Sequence, residues 1–289
     1  MGETLFDTQT PSQWCPGCGN FAILKAMKAA FTRMGLEPKD LLVVAGIGQA
    51  GKTPHYLSCN MIHGLHGRAL PLATGAKIAN HKLNVLVNSG DGDCYGEGAG
   101  HFLAAIRRNV DITLLVHNNQ VYGLTKGQAS PTSVLGMTTK LQTKGTVSRA
   151  FNPMATALSA GAGFLAQGFS GNTEQLAGLI MQAMAHKGFS LIDIYQPCVS
   201  FNKINTHLWY KDRVFDLEDT GHNPEDLAQA IQVANMGWEG DKSMDSIPTG
   251  IIYKRQGPAF HERFDLLKNK SLREYAFAKD QMNDILTTI

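Results

Sequence analysis

Two groups of residues in this 289-residue chain have types and spacings that could do chemistry. The first is Gly90-Asp91-Gly92-Asp93 together with Asn118-Asn119, with Asp91 and Asn119 lying 28 positions apart. Each follows an apolar run of strand length. An intervening helix and strand would therefore return the amide to the end of the sheet that holds the carboxylate. Asp91, the Asn119 amide oxygen and the backbone carbonyl of Val121 form a set of hard oxygen donors. Magnesium takes such a set and usually shares it with phosphate oxygens. The glycines let the backbone approach a phosphate, and the helix N-terminus that follows favours an anion. On its own GDGD reads equally well as a tight turn. The asparagine pair at this spacing favours a metal–diphosphate site.

The second group is sulfur. Cys15 and Cys18, in WCPGCGN, form a C-x-x-C pair in a turn. Such a pair serves as a redox dithiol, half a zinc site or part of an iron–sulfur site. A thioredoxin-like dithiol needs a strand before it, and only the following helix is evident. Cys198, in QPC, comes just after a buried-looking strand and so falls on the same rim as GDGD. Cys59 and Cys94 complete an odd count of five, which argues against a disulfide framework.

These residues need a scaffold, and the apolar pattern supplies one. Helical spacing marks Asn20–Arg33, Arg68–Asn80, Glu97–Asn109 and Thr173–His186. Continuous apolar runs mark strands at DLLVVAGIG, NVLVNSG, ITLLVHN and Ser190–Tyr195. Such alternation predicts an α/β fold, a mostly parallel sheet with helices on both faces, and ligands at the carboxyl ends of its strands. Residues 1–209 read as this domain. Residues 210–289 are more polar and read as an arm or C-terminal extension, with an amphipathic helix near Ser271–Leu286, packing on the domain or on a partner.

Composition narrows the function classes. A formal charge of +2 without a basic run gives no reason to expect nucleic acid. No apolar stretch reaches the roughly 20 residues of a membrane helix. MGETLFDTQTPSQ has neither a basic nor an apolar leader region, so a cytoplasmic location is expected.

GDG followed by an NN pair resembles the magnesium–diphosphate motif of thiamine-diphosphate enzymes. The wider set WCPGCGN, GIG-x-x-GK, LHGRA, GDGD, RRNVD, NNQVYGLTKGQASPTS and DIYQPC resembles the β subunit of the 2-oxoacid:ferredoxin oxidoreductases over about Trp14 to Trp209. The resemblance implies thiamine diphosphate, Mg2+ and a 4Fe–4S cluster. It implies cofactor contacts at Gly48 and His66, at Gly90 to Asp93, at Asn119 and Val121, and at Gly123, Leu124 and Thr125. Lys52 would bind the substrate carboxylate. Cys15, Cys18 and Cys198 match cluster ligands, but Gln49 stands where the family keeps a fourth cysteine. Cys59 is the expected replacement. Cys94 and a three-cysteine cluster with an open iron are the alternatives. No second βαβ domain is visible to supply the glutamate that activates the cofactor. A partner α subunit with a pyrimidine-binding domain is therefore expected, in an α2β2-like assembly with ferredoxin, coenzyme A and a 2-oxoacid as reaction partners. YGLTKGQASPTS favours 2-oxoglutarate over pyruvate or a broad 2-oxoacid range. A cluster-free thiamine-diphosphate decarboxylase or synthase subunit, and a zinc-binding structural subunit, are the competing readings.

Overall fold

A computed structural model describes residues 4–236 and 245–275. In chain order the helices are α1 (Asn20–Arg33), α2 (Ala69–Ala79), α3 (Ala99–Arg108), α4 (Pro153–Ser159), α5 (Thr173–Ala185), α6 (His207–Lys211), α7 (Leu227–Asn235) and α8 (Asp265–Lys268). The strands are β1 (Leu41–Ala45), β2 (Asn60–His63), β3 (Asn84–Gly90), β4 (Thr113–Asn118), β5 (Val121–Tyr122), β6 (Gln128–Ala129), β7 (Phe164–Phe169), β8 (Ser190–Tyr195), β9 (Val214–Asp216) and β10 (Ile247–Lys254).

Eight of these strands form one sheet in the order β2-β1-β3-β4-β8-β7-β10-β9, and β5 pairs with β6 in a small hairpin. The pairs from β2 through β7 are parallel. β10 runs antiparallel to β7, with a register shift between Ile251 and Tyr253. Central strands are buried on both faces, which is why LLVVA reads as a continuous apolar run and SLIDIY as a buried strand whose one ionisable group is Asp193, rather than as alternating ones.

Alternate side chains feed two cores. Val43, Leu86, Leu115 and Ile192 meet α1 and α5 through Ile23, Met27, Leu176 and Ile180. Val44, Val87, Leu114 and Leu191 meet α2, α3, α4 and α7 through Ala73, Phe102, Met154 and Ala230. Asn172 caps α5 by accepting the Gln175 N–H at 3.2 Å, which fixes the helix start at Thr173.

The segment after residue 209 is more than an arm. It supplies β9 and β10 to the main sheet and α7 to one core. Asn109, at φ 53° at the end of α3, latches it: its Nδ2 donates to the Pro258 carbonyl at 2.9 Å and its Oδ1 accepts from Phe189 N–H at 2.9 Å. The helix expected near Ser271–Leu286 lies mostly outside the described residues; Leu272–Glu274 form a single 3-10 turn. No helix among the described residues is long and apolar enough to cross a membrane.

Leu115 is fully buried at the centre of β4. Leu115→Ala should lower unfolding stability by about 2–5 kcal/mol in equilibrium urea denaturation, whereas Leu103→Ala, at an exposed α3 position, should stay within about 0.5 kcal/mol.

Candidate active site

Parallel pairing aligns the carboxyl ends of β1, β3, β4 and β8, and the loops leaving them build one rim. A cleft of about 480 Å³ opens between the loops after β1, β3 and β4. Every residue expected to touch a cofactor lines it, from Gly48 and His66 through Gly90–Asp93 to Asn119, Val121 and Gly123–Thr125. Lys52 is half-buried in the 3-10 segment Ala50–Tyr56 and is not among the lining residues.

Asp91 and Asn119 meet as the spacing predicts: the Asn119 N–H donates to Asp91 Oδ1 at 3.4 Å. Asp91 is 1% exposed, and burial pushes its carboxyl above the usual carboxylate range against hydrogen bonds from Ser130 and Thr132. Its other oxygen accepts from Thr132 Oγ1 at 2.7 Å. Among the described residues no Lys or Arg lines the cleft. A buried carboxylate with no cationic partner is costly, and a divalent ion relieves that cost. A diphosphate here would likewise depend on a metal for its charge balance. The donor set therefore fits Mg2+ with a diphosphate. Asn119 Oδ1 accepts the Val121 N–H at 3.0 Å and Gln120 sits at φ 61°, a turn that brings Asn119 and Val121 to the same wall.

Asp93 faces the same cleft, but its oxygens are occupied by the protein. They accept from Ile47 N–H at 3.1 Å, Gly67 N–H at 2.7 Å, His66 Nδ1 at 2.9 Å and Ser89 Oγ at 2.5 Å. Its part is to fasten the loops that shape the cleft.

Two further residues, Tyr122 and His117, line the cleft without having been singled out as site residues in the sequence. Tyr122 lies against the π-helical turn Gly92–Glu97, and a Cβ on Gly92 would sit 2.3 Å from its ring. That close approach requires glycine at 92. Burial and the Glu97 carboxylate hold the Tyr122 phenol well above its usual range. His117 places Nδ1 2.6 Å from Asn20 Oδ1 and leaves Nε2 buried without a partner. Burial depresses it to about 3, so the ring stays neutral. It offers the cleft a hydrogen-bonding nitrogen and no charge.

The cysteines divide into two sets. Burial, with smaller contributions from Cys198 and Cys15, pushes the Cys18 thiol up. Gln196 Nε2 donates to Cys18 Sγ at 3.3 Å, and Ser200 Oγ to Cys15 Sγ at 3.2 Å. A Cβ on Gly19 would lie 2.6 Å from Gln196 Cγ, so the cysteine turn and the QPC segment touch. Among the described residues no three His, Cys, Asp or Glu side chains are placed to hold a single metal ion.

The structure places Cys59, the residue expected as the fourth ligand, away from the rim. The β1–β2 register pairs Leu42 with Asn60, which puts Cys59 beside Leu41 at the amino end of the sheet. There it packs with the α1–α5 core, and burial lifts it to about 11. At about 3.3 Å per residue, four strand positions separate it from the rim by roughly 13 Å. Cys94 is 3% exposed in the core on the opposite sheet face.

Behind Asp91 lies a buried polar relay. Thr132 Oγ1 also lies 2.8 Å from Asn118 Oδ1, and Asn118 Nδ2 donates to Asp193 Oδ1 at 3.0 Å. Tyr95 OH donates to Asp193 Oδ2 at 2.6 Å. Burial lifts Asp193 to about 7, against the pull of those hydrogen bonds. The unfolded chain releases this proton near 3.8, so the folded state binds the extra proton in between and stability falls as pH rises from about 4 to 7. Asp193→Asn should flatten that part of the stability–pH profile, measured by urea unfolding at about pH 4, 5.5 and 7; an unchanged slope would remove Asp193 as its source.

Known proteins share this architecture. The family "Thiamine pyrophosphate enzyme, C-terminal TPP binding domain" matches residues 43–194, and the family of the C-terminal part of the pyruvate ferredoxin oxidoreductase beta subunit matches residues 198–269. The 2-oxoacid:ferredoxin oxidoreductase 1 subunit beta of Aeropyrum pernix is 48% identical over 87% of this chain and 80% of its own. The 2-oxoglutarate synthase subunit KorB of Archaeoglobus fulgidus is 40% identical over 89% of this chain and 90% of its own. A solved structure, the 2-oxoglutarate:ferredoxin oxidoreductase from Magnetococcus marinus with 2-oxoglutarate, coenzyme A and succinyl-CoA bound, superposes with a TM-score of 0.88 at 33% identity, covering 98% of this chain and 96% of that one. With the sheet, the cleft and these relatives in agreement, the chain belongs to the thiamine-diphosphate-binding β subunits of the 2-oxoacid:ferredoxin oxidoreductase family.

Proposed function

We propose that this chain holds thiamine diphosphate and Mg2+ in a coenzyme A-dependent 2-oxoglutarate:ferredoxin oxidoreductase, and that it works only with an α subunit, in a cytoplasmic heterotetramer. One observation carries the reading: buried, cation-free Asp91 meets the Asn119–Val121 turn at a cleft whose lining includes no Lys or Arg. Substrate choice is supported by the KorB relatives and by the substrate and product named for the solved relative.

Asp91, Asn119 and the Val121 carbonyl would hold the metal. Gly90, Gly92, Gly48, His66 and Gly123–Thr125 would surround the diphosphate and thiazolium ends. Asp93 keeps its four donors and so fixes the position of His66. His117, neutral and anchored by Asn20, would hydrogen-bond the bound cofactor or substrate without adding charge. Lys52, one 3-10 turn beyond Gln49, would reach the substrate carboxylate. When bound, thiamine diphosphate supplies the carbanion chemistry that cleaves a 2-oxoacid, and an adjacent cluster carries the released electrons one at a time to ferredoxin.

The complex with its α subunit should reduce ferredoxin in the presence of coenzyme A faster with 2-oxoglutarate than with pyruvate. Asp91→Asn should lower its affinity for Mg2+–thiamine diphosphate by at least about tenfold, read by calorimetric titration. Unchanged affinity would remove Asp91 from the metal site. A higher rate with pyruvate would reassign the substrate.

A further inference from the structure

Gln49 stands where the family this chain resembles keeps its fourth cluster cysteine, and it lies beside the turn that carries Cys15 and Cys18. Trp14, next in the chain to Cys15, donates its indole N–H to the Gln49 backbone carbonyl at 2.8 Å. The Trp14 ring also packs edge-on against Tyr56 and Phe21, with centroids 4.7 and 5.4 Å away. These contacts tie the cysteine turn and the 49–56 segment into one body. Gln49 Oε1 is buried and has no hydrogen-bond partner, so it is a polar atom left for something the protein does not itself provide.

No other cysteine of this chain reaches that position. Cys59 stands at the amino end of the sheet and Cys94 in the opposite core, and all five cysteines lie within the described residues. An amide oxygen is a hard, neutral donor, poorly matched to an iron–sulfur cluster that thiolates hold well.

Building on the proposed function, we propose that the cluster of this chain is anchored by three thiolates only, with its fourth iron facing Gln49 and removable. Oxidation by ferricyanide would then convert [4Fe–4S]2+ into [3Fe–4S]+. One electron passes to ferricyanide and one Fe2+ leaves. The bonds that break are those of the corner iron to its sulfides and to its oxygen ligand, while the three cysteine–iron bonds stay intact. Under reduction, added Fe2+ refills the corner.

The test is a ferricyanide titration of the anaerobically purified complex with its α subunit, followed by electron paramagnetic resonance and iron analysis. The expected result is the signal of a three-iron cluster, release of one iron per cluster, and recovery with Fe2+ and dithionite. Gln49→Cys should abolish the three-iron signal while keeping the iron. Should that variant fail to assemble, Gln49→Ala serves instead: it should still form the three-iron signal, as should the Cys59→Ala control. A four-iron cluster that resists conversion in the unsubstituted complex overturns the inference, because a fourth strong ligand must then come from elsewhere, including the partner. Loss of conversion in Cys59→Ala overturns it too. A complex that holds thiamine diphosphate but no iron overturns the cluster part of the proposed function, and this inference with it.

Discussion

The carboxylate of Asp93 is the fastening on which the site depends. It gathers N–H and O–H donors from the loop after β1, from the glycine turn at Gly67 and from the end of β3. It also holds the His66 ring. These four donors come from three different segments, so one buried carboxyl group decides how far apart the walls of the cleft stand. Gly46 shows how tight the arrangement is: a Cβ there would lie 1.8 Å from Asp93 Oδ2. The π-helical turn Gly92–Glu97 makes this possible by aiming Asp91 at the cleft and Asp93 back into the loops within three residues. Irregular turns of this kind are frequent at functional sites.

Charge explains the division of labour around this fastening. Asp93 is satisfied by protein donors, whereas Asp91 is buried with hydroxyl and amide donors and no cation. Two carboxylates two positions apart thus have opposite needs, and only one calls for a metal. The relay from Asp91 through Thr132 and Asn118 to Asp193 extends the same buried network into the sheet. Such networks are stiff when every member is satisfied, and this one backs the Asp91 side of the cleft.

Much of this was legible in the sequence, for definable reasons. Central parallel strands are apolar throughout, so β1, β3, β4 and β8 stood out, and α1 and α5 carry clear helical spacing. The rim followed from the rule that ligands gather at strand carboxyl ends. β7 and β10 were not legible. FLAQGF carries a glutamine that bonds Tyr195, and IPTGIIYK carries a proline and a glycine at the side of the sheet where the pairing turns antiparallel. The extension therefore read as an arm although it completes the sheet. Cys59 sits away from Gln49 because ten residues of sequence proximity conceal a reversal: the chain crosses from the carboxyl rim to the amino end before β2 starts. Tyr122 and His117 were not singled out, since a tyrosine within a longer motif and a histidine near a strand end are ordinary until the cleft is seen around them.

The central claim is that one divalent ion sits between Asp91, Asn119 and Val121 and carries the cofactor's diphosphate. Anomalous diffraction from crystals of the complex grown with thiamine diphosphate and Mn2+ in place of Mg2+ tests it most directly. The account predicts a manganese peak within coordinating distance of Asp91, the Asn119 amide oxygen and the Val121 carbonyl, shared with two diphosphate oxygens. A diphosphate bound with no metal at Asp91, or a metal held elsewhere on the rim, would contradict it.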